Sequence, residues 1–326
     1  MEQKDQLDIL KFTPILKEKI WGGEKLGNLL HKDSKSSSLG ESWEISDVEG
    51  NYSIVAEGPF KGKNLRELQE QYKEQLVGEK NFKRFKTKFP LLIKFIDAKE
   101  ALSVQLHPDD SIALKKHNSL GKTEMWYVMQ ADEQSNVIVG FNQDVDQALY
   151  KKHVDNKSIK EILNYEIVTP GDTFFVYAGL IHAIGKGVLL AEIQQTSDIT
   201  YRIYDWDRAD ANGNYRELHQ EEALEAIDYS TNKEYKVSYD KNQKGITDLV
   251  SCPHFITNVV AIEEKQKLSH EQLDSFVVYM CVEGEAMIKG LDISLTVRSG
   301  ETLLVPATVK EIEVLTKGVK LLQTYI

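Results

Sequence analysis

Residues that signal special environments are scarce in this chain. Only two cysteines occur in 326 residues. Cys252 and Cys281 fit no metal-binding or redox spacing, so they read as reduced thiols and exclude a disulfide scaffold. Positive charge is also in deficit, with 40 Lys and Arg against 51 Asp and Glu and a formal net charge of −11. A nucleic-acid binder usually carries the opposite surplus, so that class is set aside. Any anionic ligand must be drawn by a local cluster of Lys and Arg against the global field. No apolar run approaches the length of a membrane span. The charged start MEQKDQLDIL lacks the apolar core of a secretory signal. The expectation is a cytoplasmic protein, monomer or homodimer, that acts on a small molecule.

What the chain does contain is alternation. Residues 40–57, PLLIKFIDA, TFFVYAG, LLAEIQQ and DITYRIYDW read as strands, and 251–326 runs as short strands separated by Gly turns. Such a pattern predicts a mainly β protein, as an antiparallel sandwich or barrel. Helices are expected at 64–78, 108–118, 144–163 and 217–228. The first of these has Asn64 as N-cap, with Leu65, Leu68, Tyr72 and Leu76 on one face and Gly78 to end it. A polar shift near 235–250 divides the chain into 1–240 and 241–326. The two parts echo each other: GETLLVPAT (300–308) lines up with GDTFFVYAG (171–179), and Tyr279 is set on Tyr127. That register puts Phe276 at the position of Glu124 and Glu311 at that of His182. The chemistry is therefore expected in the first copy, with a structural role for the second.

The polar side chains concentrate between Phe95 and Met129. Residues two apart on a strand share a face, so Ser103, Gln105 and His107 line one side of a strand, and Lys122 and Glu124 one side of the next. A hydroxyl, an amide, an imidazole, an ammonium and a carboxylate gathered on a concave wall suit a metal with a polar substrate above it. Downstream, Gly179-Leu-Ile-His182 places an imidazole beside apolar neighbours. The default for such a residue is a satisfied core histidine, but Gly179 and Gly185 leave room for close backbone approach. Glu192 and Gln194 share a face, as do Thr200, Arg202 and Tyr204. Asp205, Asp207 and Arg208 read as a charged turn, and His117 and His153 as exposed and inert. Lys94 interrupts an apolar strand, either at a sheet edge with its head snorkelling to water or facing a substrate.

These residues carry a resemblance. PGDTFFVYAGLIHAIGKG is similar to the second motif of cupins. SVQLHPDD, GKTEMWY, AGLIHAIGKG and QQTSDITYRIYDWDR, with IWGG at 20–23 and GESWEIS at 40–46, resemble type I mannose-6-phosphate isomerases of the bacterial short form. The motifs span nearly the whole chain in the family's order. The resemblance implies two cupin-type jelly-roll β-barrel domains with a few accessory helices: a catalytic one at 1–240 and a degenerate one without metal ligands at 241–326. It also implies one zinc ion held by His107, Glu124 and His182 with Gln105 as a fourth ligand, and Arg202 as the catalytic arginine. Ser103, Lys94 and Lys122 match positions of the phosphosugar pocket, and Glu192 an acidic pocket residue. The long helical insertion of larger members is absent between Glu124 and His182, so any closing element must come from elsewhere.

The implied chemistry is physically coherent. Two His and a Glu form a common catalytic zinc shell with open positions. Zinc is redox-inert and suits an aldose–ketose isomerisation, in which a proton leaves C2, an enediolate forms and a proton returns to C1. Arg202 would stabilise the developing charge, Lys122, Glu192 or a metal-bound water would serve as base, and Ser103 with Lys94 would grip the phosphate. Two alternatives stand beside this one: an iron or manganese cupin oxidase or decarboxylase, whose sites more often hold three His and one Glu, and a non-enzymatic sugar-phosphate-binding cupin.

Overall fold

The computed structural model describes residues 6–210, 212–230 and 235–326. Its centre is a six-stranded antiparallel sheet in the order Thr173–Val176, Glu124–Ala131, Val188–Gln195, Leu91–Ala98, Leu39–Ile45 and Ile15–Gly23. Strict alternation sends its side chains into two different cores. Val188 and Leu190 face one apolar cluster, while Leu189, Ala191 and Ile193 face another. Trp126 and Val128 alternate in the same way with Met125 and Tyr127. A strand buried on both faces reads as an uninterrupted apolar run, which explains PLLIKFIDA.

One face of this sheet packs on a five-stranded sheet ordered Leu163–Ile167, Asn136–Phe141, His182–Ile184, Val104–Leu106 and Tyr201–Tyr204. Val137, Val139 and Ile184 from the five-stranded sheet meet Trp126, Phe174 and Leu190 from the six-stranded one. The outer face of the five-stranded sheet is covered by the helix Gln147–Asp155, the 3-10 turn Ile159–Ile162 and the helix Gln220–Ala226, through Tyr150, Ile159, Ile162 and Ala223. The other face of the six-stranded sheet packs on a nine-stranded sheet built mostly from 245–325, in which Leu10–Thr13 pairs with Thr302–Val305. Among the described residues these are facing sheets and not hydrogen-bonded closed barrels. The mainly β, cupin-type architecture stands in its double-sheet form.

Helix boundaries moved where local chemistry intervened. The helix expected at 64–78 begins as read, with Asn64 Oδ1 accepting the Glu67 N–H at 2.8 Å and Glu67 returning the bond. It breaks at Lys73, whose φ is 51°, into Leu65–Tyr72 and Glu74–Val77. Glu79–Phe85 and the single turn Lys25–Asn28 are helical and were not expected. The 108–118 and 217–228 helices run over Asp110–His117 and Gln220–Ala226.

The largest side chains in the core shared by the halves include an aromatic pair. Phe89 and Phe276 are both fully buried, with ring centroids 4.5 Å apart. Phe276→Ala is expected to lower stability by about 3–5 kcal/mol, the usual loss for an emptied aromatic site, read as a shift in urea midpoint. An unchanged midpoint would show that this contact does not hold the halves together.

Strand pairing corrects the internal register by one residue. Thr173 pairs with Tyr127, whereas its counterpart Thr302 pairs with Met280. Met280 thus corresponds to Tyr127, Tyr279 to Trp126, and Val277 (not Phe276) to Glu124. Both Tyr127 and Met280 face the shared core, as this register requires.

Candidate metal site and adjoining cleft

Sheet register assembles the site from two rows. In the five-stranded sheet, His182 pairs with Gln105 and Gln105 with Arg202, so three polar side chains stand abreast on neighbouring strands. In the six-stranded sheet, Trp126 pairs with Glu192, Glu192 with Lys94, and Lys94 with Trp43. Because the sheets face each other, the rows become opposite walls of one space. His107 lies just beyond Val104–Leu106, and Glu124 opens its own strand.

Ligand-type atoms of His107, Glu124 and His182 converge within 4.8 Å of one another, and all three residues are buried. Backbone carbonyls set both tautomers. His107 Nδ1–H donates to the Ile199 carbonyl at 2.9 Å, and His182 Nδ1–H to that of Leu180 at 2.8 Å. Each ring thereby turns its Nε2 lone pair inward, 3.5 and 3.7 Å from the Glu124 carboxylate. Burial and the Lys122 charge hold His107 well below the usual imidazole range, and burial brings His182 down to about 3. Both rings are neutral near pH 7, the form that binds metal. Burial, with repulsion from Glu192, raises Glu124 to about 7. Lys122 donates to His107 Nε2 at 2.8 Å and also to Glu124 Oε2. A cation is thus already drawn to the lone pairs that a metal ion would use, and the donor set fits one. Gln105 Nε2 lies 3.5 Å from His182 Nε2, so its amide borders the same cluster.

Beside this group lies a cleft of about 290 Å³. Its charged lining is Lys19, Lys94, Lys122, Arg202 and Arg216 against Glu41, Glu192 and Asp198, a local positive surplus in an acidic protein. Lys94 is on a central strand and buried, so neither an edge nor snorkelling explains it. Its Nζ lies 3.3 Å from Glu192 Oε1 and 5.1 Å from the Trp43 ring centroid. Burial alone would lower the Lys94 pKa, but Glu192 and Glu41 outweigh it and raise it. Burial works against Glu192 ionising as well, yet Lys122 and Lys94 keep it below the usual range. Trp126 Nε1–H is shared between Glu124 Oε1 at 3.0 Å and Glu192 Oε2 at 3.1 Å, while Glu192 Oε1 meets only the Lys94 ammonium, at 3.3 Å, among the described residues. Ser103 Oγ donates to Gln105 Oε1 at 3.0 Å and accepts from Arg202 Nε at 3.3 Å.

Every residue singled out from the sequence for this site is therefore in or beside one cavity. Sequence reasoning missed Trp126, Glu41 and Trp43, although Trp126 lies two residues from Glu124 on one strand face, and Glu41 and Trp43 share a face of GESWEIS. Asp205, read as part of a charged turn, does lead into the turn at Trp206 and Asp207, and it is buried there with two arginines on its carboxylate. His117, exposed as expected, contacts the Tyr201 hydroxyl at 2.8 Å, and His153 is only half-buried. A larger surface cleft of about 470 Å³ runs from Asp47 to Ile199. Its Arg66 is paired with Asp47 at 2.8 Å, and it offers no comparable donor group.

Facing antiparallel sheets with an inward His/Glu/His cluster define a cupin-type protein with a metal-competent site. Comparison with known proteins narrows the class. Residues 9–153 match the family described as phosphomannose isomerase type I, catalytic domain, and residues 245–324 the mannose-6-phosphate isomerase cupin domain. The chain is 34% identical over 303 residues to the mannose-6-phosphate isomerase ManA of Bacillus subtilis, covering 91% of this chain and 92% of that protein. It is 36% identical over 296 residues to the mannose-6-phosphate isomerase of Streptococcus mutans, with 90% of each covered. The crystal structure of the Bacillus subtilis mannose 6-phosphate isomerase superposes with a TM-score of 0.85 at 33% identity, covering 98% of this chain and 100% of that one. The chain belongs to the type I phosphomannose isomerase family, and it is an enzyme of the isomerase class. The non-enzymatic reading is thereby removed. Among the described residues no helix is long and apolar enough to cross a membrane.

Proposed function

We propose that this chain interconverts mannose 6-phosphate and fructose 6-phosphate through an enediolate, with zinc as its metal. The observation that carries the reading is the inward convergence of His107, Glu124 and His182 at the end of a cleft with surplus positive charge. Those three residues, with Gln105, would hold the zinc, which supplies Lewis-acid polarisation of sugar oxygens. Two neutral imidazoles and one carboxylate suit zinc better than a hard oxygen-seeking cation.

The remaining chemistry belongs to the protein. Glu192 is held ionised by Lys122 and Lys94 and lines the cleft, which suits a base that takes the C2 proton and returns it to C1. Lys122 is the second candidate for that shuttle. Arg202 faces the developing oxyanion, while Ser103 and Lys94 bind the sugar phosphate. We assign this chemistry to 1–240 and a supporting role to 241–326, in a cytoplasmic monomer or homodimer.

The full-length purified chain is expected to isomerise both sugar phosphates in a coupled assay, to stop when chelated, and to recover with zinc. Turnover that survives confirmed metal removal would overturn the metal's role. Inactivity on both sugars with zinc bound would overturn the substrate.

A further inference from the structure

Arg216 has no counterpart among the residues assigned above, yet its side chain lines the cleft together with Arg202. It comes from the segment after Tyr201–Tyr204, and that segment is pinned to Arg202 in three ways. The Arg202 N–H donates to His219 Nδ1 at 3.2 Å, its carbonyl accepts from the His219 N–H at 2.7 Å, and its guanidinium donates to the Glu217 carbonyl at 2.9 Å. The chain is thus folded back so that Arg216 stands at the rim of the wall that carries Arg202.

Asp205 fixes the side chain itself. Its Oδ2 accepts from Arg216 Nε at 2.7 Å, and its Oδ1 accepts from Arg216 Nη2 and, at 2.7 Å, from Arg208 Nη2. A bidentate fork of this kind locks the guanidinium plane. It occupies Nε and Nη2 and leaves Nη1 with no hydrogen-bond partner among the described residues. Arg208 is held in place by the Ala101 carbonyl at 3.0 Å as well. Asp205 therefore serves two arginines, and Arg202 has no carboxylate partner among the described residues. Arg208 and Arg216 share the one Asp205 carboxylate and Arg202 stands unpaired beside them, so the group keeps a positive surplus that suits a phosphate.

The position along the cleft agrees. Arg202 stands two strands away from His182, or roughly 10 Å at sheet spacing. Its Nε bonds to Ser103, which bonds to Gln105 beside the metal donors, while its Nη1 bonds to the Glu217 carbonyl next to Arg216, so the guanidinium lies between the reacting end of a ligand and a phosphate held by Arg216. Lys94 has its charge met by Glu192 and Glu41, so the phosphate it contacts needs a further cation to balance it. We propose that Arg216, oriented by Asp205, binds the phosphate of the sugar phosphate alongside Arg202, so that this segment does the recognising where no long helical insertion is present. The inference rests on the phosphosugar reading of the cleft and names its phosphate end. Arg216 is a binding residue, and Asp205 a positioning residue acting through it.

The test uses the zinc-loaded, full-length enzyme, with KM for mannose 6-phosphate and competitive inhibition by inorganic phosphate measured side by side. Arg216→Ala is expected to raise both constants together, by roughly ten- to hundredfold, the range for losing a charge-assisted hydrogen bond, and to raise KM by a larger factor than it lowers kcat. Arg216→Lys should recover part of the loss. Asp205→Asn should show the same pattern more weakly, provided its melting temperature confirms folding. Unchanged KM and phosphate inhibition in folded Arg216→Ala would overturn the proposal, as would a fall in kcat alone. If the wild-type enzyme ignores mannose 6-phosphate but binds inorganic phosphate through Arg216, the anion site stands and the substrate reading fails.

Discussion

Glu124→Gln is expected to cost the enzyme its metal and its turnover together. The substitution keeps size and shape but removes the one charge in the donor group, leaving two neutral imidazoles and an amide. Loss of an outer-shell partner alone costs about 10–100-fold in metal affinity, so loss of the anionic ligand should exceed that. Neighbouring charges add to the effect. Lys122, which is buried, loses its carboxylate partner, so an unpaired ammonium is left competing with any cation for the same space. Trp126 Nε1–H keeps Glu192 Oε2 as acceptor, so the strand should hold its shape. Zinc content by elemental analysis and kcat in the coupled assay decide it. A variant with full zinc and full kcat would remove Glu124 from the site.

Much of this site was legible because strand periodicity is two. Ser103, Gln105 and His107, or Lys122 and Glu124, are sorted to one face by counting alone. What counting along one strand cannot supply is which strands become neighbours. The row Trp126, Glu192, Lys94, Trp43 exists only through cross-strand register. In sequence, Lys94 was a charge in an apolar run, and its true neighbours are far away along the chain. The same limit hid the partners of Asp205 and Arg216, since an exposed charged turn and a buried ion-paired one have the same composition. It also produced the one-residue error in the repeat, because similar apolar letters can be slid without penalty until a partner strand fixes the face.

With the register corrected, the second copy becomes informative. Gln323 pairs with Tyr279 and with Asn258 as Glu192 pairs with Trp126 and with Lys94. Each charged member of the first row thus has a neutral counterpart in the second. Gln323 Nε2–H donates to the Tyr279 hydroxyl at 2.7 Å, and His270 Nε2 lies 2.8 Å from the same oxygen. Polar groups satisfied by one another in a closed core stabilise it without offering lone pairs to a ligand. The first copy differs in that its charged pair, Lys94 and Glu192, lines a cleft.

Arg202→Ala is expected to cut kcat by about 10²–10³, the loss typical of removing one preorganised charge donor from a water-poor site, while zinc content stays at the wild-type level. The argument starts from what Arg202 does not do. Among the described residues it makes no ion pair, and its bonds run to the Ser103 hydroxyl and the Glu217 carbonyl. Burial, and then Arg216, lower its pKa, so the fold holds this guanidinium in place at an electrostatic cost. An anion arriving in the cleft relieves that cost, and one that gains charge in the transition state relieves it most. The two arginines should therefore separate kinetically. Arg216→Ala should act mainly on KM and on inhibition by phosphate, whereas Arg202→Ala should act on kcat as well. Arg202→Lys restores the charge but not the planar fork that spans Ser103 and Glu217, so only partial recovery is expected. A fully active, zinc-replete Arg202→Ala would show that the unpaired guanidinium serves the fold alone. A variant that lost zinc instead would place Arg202 among the supports of the metal donors, acting through Ser103 and Gln105 on His182.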